Sequence, residues 1–237
     1  MLSLVGWLDG LTALAIVSIG IITGIICIYQ SLKLEAKLLG ITGMATICAG
    51  CSWLGPAMDF LIILITGDNI EPYWLYGLLS YMWTGPVVIF GLYIGSELIA
   101  PKQKKIIVSI YAILAVIFEI LLFYYILTSP ATLITFPPDP HGTALLNTSI
   151  SITSPVFFFM IFFLASGLIF NGFGFLSKSL QSSGELKKKF LFLSLGWILY
   201  IAGGLLDAVF DPGIAIFFIR IGTMTSIVLM YLGIRVK

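Results

Sequence analysis

The sequence predicts an all-α integral membrane protein, a bundle of seven transmembrane helices with the N-terminus outside and the C-terminus in the cytoplasm. Three observations predict it. The 237-residue chain is 59% hydrophobic and 10% charged, more apolar surface than a soluble domain of that length can bury. Apolar stretches of about 20 residues or slightly more recur seven times along it, each long enough for a ~30 Å hydrocarbon core at 1.5 Å per residue. All but one of the 12 Lys and Arg residues fall in four short clusters that follow alternate stretches: Lys33 and Lys37; Lys102, Lys104 and Lys105; Lys178 and Lys187 to Lys189; Arg235 and Lys237. The intervening loops hold Asp68 and Glu71, Asp139 and His141, and Asp211, without Lys or Arg, so the positive-inside rule sets the orientation.

The spans run near 10–31, 39–66, 73–98, 106–127, 150–177, 190–210 and 214–234. They form one domain, 1–237, and helices satisfy their own backbone groups in lipid. The first is a retained span rather than a cleavable signal, because it lacks a basic leader, carries Asp9 in front and is too long. The second and third share a motif, Trp53-Leu54-Gly55-Pro56 and Trp83-Thr84-Gly85-Pro86. Proline removes a backbone hydrogen bond, so these spans, and the fifth at Pro155, are expected to kink. The outer 128–148 connection, with Phe136-Pro137-Pro138-Asp139-Pro140 in it, favours extended backbone and is either a cap on the outer mouth or a loose connector. Asn147-Thr148-Ser149 is an outer-side glycosylation sequon that abuts span five. Asp211-Pro212-Gly213 is a tight turn between the last two spans.

Cys27, Cys48 and Cys51 all lie in the first two spans, so no extracellular disulfide framework is expected. Cys48 and Cys51 read as small packing residues or as a redox or metal pair. A net charge of +1, distributed along one membrane face, gives no reason to expect nucleic acid. The lipid bilayer is the expected surrounding, and the basic loops at Lys102, Lys104, Lys105, Lys187, Lys188 and Lys189 suit a cytoplasmic signalling partner or lipid headgroups. No cofactor or metal site is expected. The spans carry no lysine away from their inner edges, which argues against a retinal Schiff base, and the sole histidine, His141, sits in a loop. No nucleophile–base pairing is visible, so an enzyme is not expected.

Arg220 is the cation inside an apolar stretch. A guanidinium in lipid costs roughly 2.5 kcal/mol or more on insertion scales and calls for carboxylate partners. Asp59, Glu119 and Asp207 also lie within spans, and at 1.5 Å per residue all four fall roughly 6–12 Å from the outer boundary. Residues three or four apart share a helix face, which aligns Gly196, Tyr200, Gly203 and Asp207, and likewise Cys48, Ser52, Gly55 and Asp59. The short turn between the last two spans makes Asp207–Arg220 the favoured pair, with Asp59 as second candidate and Glu119 without an obvious cation. Two readings stand: these groups, with Tyr200 and Trp83 as walls, bind a small ligand or ion in an outward-facing pocket, or they form a structural ion pair. Glu97 reads as an interfacial anchor near Lys102, and Asn171 as an interhelical hydrogen bonder.

The stretches Cys51-Ser52-Trp53-Leu54-Gly55 and Tyr81-Met82-Trp83-Thr84-Gly85-Pro86-Val87-Val88-Ile89-Phe90-Gly91-Leu92-Tyr93-Ile94-Gly95 resemble the seven-helix sensor region at the N-terminus of many bacterial and archaeal histidine kinases. The resemblance covers residues 49–95, about a fifth of the chain, and brings no binding-residue motif. It implies a sensing role. Because the sequence stops at Lys237 without a kinase domain, signalling is expected to pass to a separate partner. The expectation is therefore a stand-alone membrane sensor, or alternatively a small transporter or ion-coupled carrier using the intramembrane carboxylates. A structural or assembly protein recruiting partners through its basic loops is a third reading.

Overall fold

The computed structural model describes residues 2–135, 141–211 and 213–235. The proline-rich 136–140 segment, Pro212 of the tight turn and Lys237 of the last basic cluster lie outside the described residues. Six helices or helix pairs are long and apolar enough to cross a membrane, which makes this a multi-pass helical membrane protein. A bent pair supplies a seventh when counted as one span.

In chain order, α1 is Leu4–Leu34, α2 Lys37–Cys51, α3 Leu54–Thr66, α4 Trp74–Tyr81, α5 Thr84–Ile99 and α6 Lys104–Thr128. A short α7, Pro130–Leu133, leads into β1, Ile134–Thr135, which pairs antiparallel with β2, Ser149–Ile150. Then come α8 at Pro155–Gly167, a wide π turn at Leu168–Phe173, α9 at Gly174–Leu180, α10 at Gly184–Val209 and α11 at Ile214–Ile234.

The Trp-x-Gly-Pro motifs act as expected. Pro56 and Pro86 cannot donate to the carbonyl four residues back, and the helix is interrupted at Ser52–Trp53 and at Met82–Trp83, one turn before each proline. The α2–α3 break bends the chain by 51°. The third expected kink is absent. Pro155 opens α8, where Ser154 caps the helix by accepting from the Val156 N–H at 3.2 Å, and the irregularity of that span is instead the π turn some thirteen residues later. Proline at a first helical turn interrupts nothing, because its missing N–H has no intrahelical partner there.

Small residues set the closest helix contacts. Gly20 of α1 and Gly50 of α2 face each other, and a Cβ on Gly20 would lie 2.6 Å from the Gly50 Cα. Gly203 of α10 leaves room for Thr223 of α11. Lipid gives no hydrophobic drive between helices, so such backbone approach supplies the packing. The opposite behaviour marks α6, whose Ile113, Val116, Ile120 and Leu127 are exposed as a lipid-facing stripe.

The buried apolar residues form two main clusters. One gathers α1, α2, α5, α9, α10 and α11 around Trp53, Phe175, Leu193, Trp197 and Ile227. The other joins α6 and α8 to the 133–150 connection around Phe118, Leu122, Leu133 and Phe163. The described parts of that connection form a cap: Leu133, Ile134, Leu145 and Leu146 are buried. Ser3 N–H donates to the Thr143 carbonyl at 2.8 Å, tying the N-terminus to it.

Candidate functional site

A partly open cavity of about 200 Å³ lies at the seam between the two clusters, lined by Trp197 and Ile201 of the first and by Met160 and Phe163 of the second. On α10 it is lined from Trp197 to Ala208, a rise of ~16 Å along the helix. It reaches the cap through Leu146, Asn147 and Thr148. The sequon side chain Asn147 is therefore half-buried in the cavity wall.

At the capped end sits an ion triad. Arg220 is 5% exposed. Its Nε donates to Asp207 Oδ1 at 2.9 Å and its Nη2 to Asp207 Oδ2 at 3.4 Å. Its Nη1 donates to the Asp9 backbone carbonyl at 2.7 Å and pairs with the Asp9 carboxylate. The expected Asp207–Arg220 pair is present. The second partner is Asp9 of α1 rather than Asp59. The first helix begins at Leu4, six residues before the expected boundary, so Asp9 lies inside it and is buried. A signal for this exists in the sequence: Asp9 heads the stripe Asp9, Ala13, Ile16, Gly20, Gly24, Cys27, spaced by threes and fours, and all six are buried.

The break between α2 and α3 delivers two further groups. Trp53 Nε1 donates to Asp207 Oδ2 at 2.9 Å, and Ser52 Oγ lies 3.3 Å from Tyr200 Oη. Trp53 and Trp197 both stand edge-on to Tyr200, with ring centroids 6.0 and 6.1 Å away. A continuous helix would carry Ser52 and Trp53 round its axis in regular register, so the proline-induced break is what lets both reach α10.

Asp59, expected at this site, is not in the cavity lining. It is fully buried, and its carboxylate accepts from the Asn69 side-chain amide at 3.0 Å, the Ile70 N–H at 2.7 Å and the Leu146 N–H at 2.8 Å. It pins two loops to the top of α3. Glu119 also lies outside the cavity. It accepts from the Gly85 N–H at 3.2 Å, satisfying a donor at the start of α5, and lines a separate lipid-side groove with Pro86 and Phe123. Trp83 stands at the α4–α5 break, outside the cavity lining, and its buried Nε1 has no hydrogen-bond partner among the described residues. Tyr200, Asp207 and Arg220 do line the cavity together. Similar expected depth did not bring the four ionisable groups together: of them, only Asp207 and Arg220 pair.

Asn171 departs from expectation in the opposite sense. It is 1% exposed, lies in the π turn and lines the cavity, yet neither side-chain amide atom has a hydrogen-bond partner among the described residues. Two α5 glycines leave it room: a Cβ on Gly91 would lie 3.3 Å from Asn171 Nδ2, and one on Gly95 would overlap Oδ1. A buried polar group left unmade costs about 1–3 kcal/mol, and π turns recur at functional sites.

At the lysine-bearing end the bundle is filled. Ile94, Phe175, Leu193 and Met230 are buried in one cluster, and Phe175 stacks on Phe190 at 6.1 Å. The ends of α1 and α11 meet there, with Gln30 Nε2 donating to Tyr231 Oη at 3.4 Å. Glu97 pairs with Lys104 at 2.6 Å rather than with Lys102. Cys27, Cys48 and Cys51 are buried free thiols. No protein-family model matches the chain, and no curated protein matches it.

Proposed function

We propose that this chain is a seven-span, receptor-like sensor of the cell membrane, N-terminus outside, that binds a small ligand or ion in the cavity. The observation that carries the reading is the cavity itself: partly open, lined at its capped end by the Asp9–Arg220–Asp207 triad, with packed side chains filling the bundle toward the lysine-bearing end. At about 200 Å³ it falls below the ~300–1,000 Å³ of sites for drug-sized molecules, so the ligand is compact. The interrupted helices touch it at Ser52, Trp53, Tyr81 and Thr84, so occupancy bears on the two bends. A ligand that prefers one bend angle shifts the population toward it and moves the far ends, where Lys102, Lys104, Lys105, Lys187, Lys188 and Lys189 would meet a cytoplasmic partner. The resemblance of residues 49–95 to kinase sensor regions points the same way.

A second reading, a small transporter or ion-coupled carrier, is favoured by the helix breaks beside the cavity, since discontinuous helices mark binding sites in carriers. One experiment separates the two. Gly204 lines the cavity, and a Cβ there meets no atom within 4 Å, so Gly204→Leu fills the space without disturbing the triad. Small polar metabolites are screened for thermal stabilisation of the purified protein in lipid nanodiscs. The reading expects a compound that raises the melting temperature of the wild type but not of Gly204→Leu. It also expects altered hydrogen exchange at residues 101–105 and 181–189, and no flux of that compound into proteoliposomes. Flux would establish the carrier instead, and absence of any cavity-dependent stabilisation would remove both.

A further inference from the structure

We propose that the cavity selects an organic ammonium ion with a neutral hydrogen-bonding group at its far end: the cation at Asp207, the polar group at Asn171, and the aromatic rings as the wall between. This rests on the reading of the cavity as a ligand site and adds the ligand's chemical class.

Charge is the first argument. The charged side chains in the lining are Asp9, Asp207 and Arg220, two carboxylates against one guanidinium, a formal charge of −1. The guanidinium is already directed at those carboxylates through Nε, Nη1 and Nη2. It presents no free fork to an incoming anion, which would meet two carboxylates instead. Asp207 is the more open of the two acids, its side chain 16% exposed against 7% for Asp9, so it is the group a cation can approach.

The wall is the second argument. Trp53 and Trp197 are perpendicular to Tyr200 within 18°, and Tyr76 and Tyr81 also contribute to the lining. Ring faces carry negative quadrupole potential and attract ammonium groups more strongly than their neutral isosteres. An apolar pocket made for a hydrocarbon needs no such density of aromatic rings beside carboxylates.

Asn171 is the third and independent argument. Its carboxamide offers two donors and an acceptor, belongs to a residue of the cavity lining, and is almost wholly buried, with neither polar atom hydrogen-bonded among the described residues. It sits near the level of Trp197, because the Cβ position of Gly91 lies within 3.3 Å of both side chains. Its neighbours in the lining are apolar or aromatic, which suits a neutral hydroxyl or carbonyl there and not a second charge.

The test is titration calorimetry on the full chain in nanodiscs with four probes. These are acetylcholine, its carbon isostere with quaternary carbon in place of nitrogen, tetramethylammonium and glutarate. The expected result is acetylcholine binding about tenfold more tightly than the isostere, with no glutarate binding. Asp207→Asn abolishes that preference for charge. Asn171→Leu weakens acetylcholine about tenfold, leaves tetramethylammonium unchanged, and does not lower the unfolding temperature, because it removes an unsatisfied polar group. The Asn171→Leu arm decides the matter even where Asp207→Asn fails to fold. Isostere or glutarate binding as tightly as acetylcholine, and blocked by Gly204→Leu, keeps the cavity as a ligand site but overturns the ammonium assignment. Equal loss of tetramethylammonium and acetylcholine in Asn171→Leu overturns the two-point arrangement. No binding by any probe overturns the ammonium assignment, while the reading of the cavity as a ligand site falls only if the Gly204→Leu screen also shows no cavity-dependent stabilisation.

Discussion

Asp59 and Asp207 are two aspartates of the bundle, the first fully buried and the second half-buried, and they do different work. Asp59 faces main-chain and amide donors from the 69–70 and 146 segments, each within 3.0 Å. Asp207 faces a guanidinium and an indole, and keeps part of its surface toward the cavity. The first is a closed joint that holds the cap on α3. The second is one member of a triad with an open side. Burial of a carboxylate in a membrane bundle therefore says little about function by itself. What its acceptor capacity is spent on, and whether any of it borders empty space, is the distinguishing feature.

The contrast can be broken from either side. Arg220→Ala carries the largest expected effect, a loss on the order of 3–5 kcal/mol, because removing one partner leaves the buried acids uncompensated. Unfolding by detergent or heat measures it, and insertion into the membrane stays intact. A loss below about 1 kcal/mol would mean that water, not the guanidinium, balances Asp9 and Asp207. Asp59→Ala follows, with about 3 kcal/mol lost, since its orphaned donors cost about 1 kcal/mol or more apiece. Limited proteolysis should then cut near residues 67–73 and 141–148, while binding in the cavity persists in whatever fraction stays folded. Failure of the cap to loosen would show that Asp59 is not the joint.

Asp207→Asn sharpens the comparison. Arg220 keeps Asp9 and the Trp53 indole keeps an oxygen acceptor, so the expected stability loss is about 1–2 kcal/mol, read from the same unfolding curves. Affinity for a cavity ligand should fall more than stability does. Smallest is Glu119→Gln, expected within about 0.5 kcal/mol of wild type, because the amide oxygen still accepts from the Gly85 N–H. A large loss there would make Glu119 a third kind of buried acid, with a partner of its own.

Much of this arrangement can be read along the chain because it is local. The apolar stretches, the helix breaks one turn before Pro56 and Pro86, and the Asp207–Arg220 pair across a short turn depend on contacts within a few residues or one hairpin. Asp9 was legible in part: its stripe of buried positions is visible at helical spacing, but nothing in the stripe names Arg220, which lies 211 positions away. The assignment of Asp59 to the ion site used its depth and the helical face it shares with Cys48, Ser52 and Gly55, and that face assumes an unbroken helix. The interruption at Ser52–Trp53 removes the register that would have carried the face of α2 into α3, so the aligned stripe Cys48, Ser52, Gly55, Asp59 does not survive it.

The amino-acid sequence alone determined a helical membrane chain, its breaks and its one intramembrane cation, since lipid leaves the backbone no partners outside its own segment. Only the tertiary structure decided which acids meet Arg220, that Asp59 holds loops, and that the Asn171 amide is buried against α5 without a hydrogen-bond partner among the described residues. Those outcomes depend on helix rotation and loop closure, which arise from packing between segments distant in sequence and leave no periodic trace in any one of them.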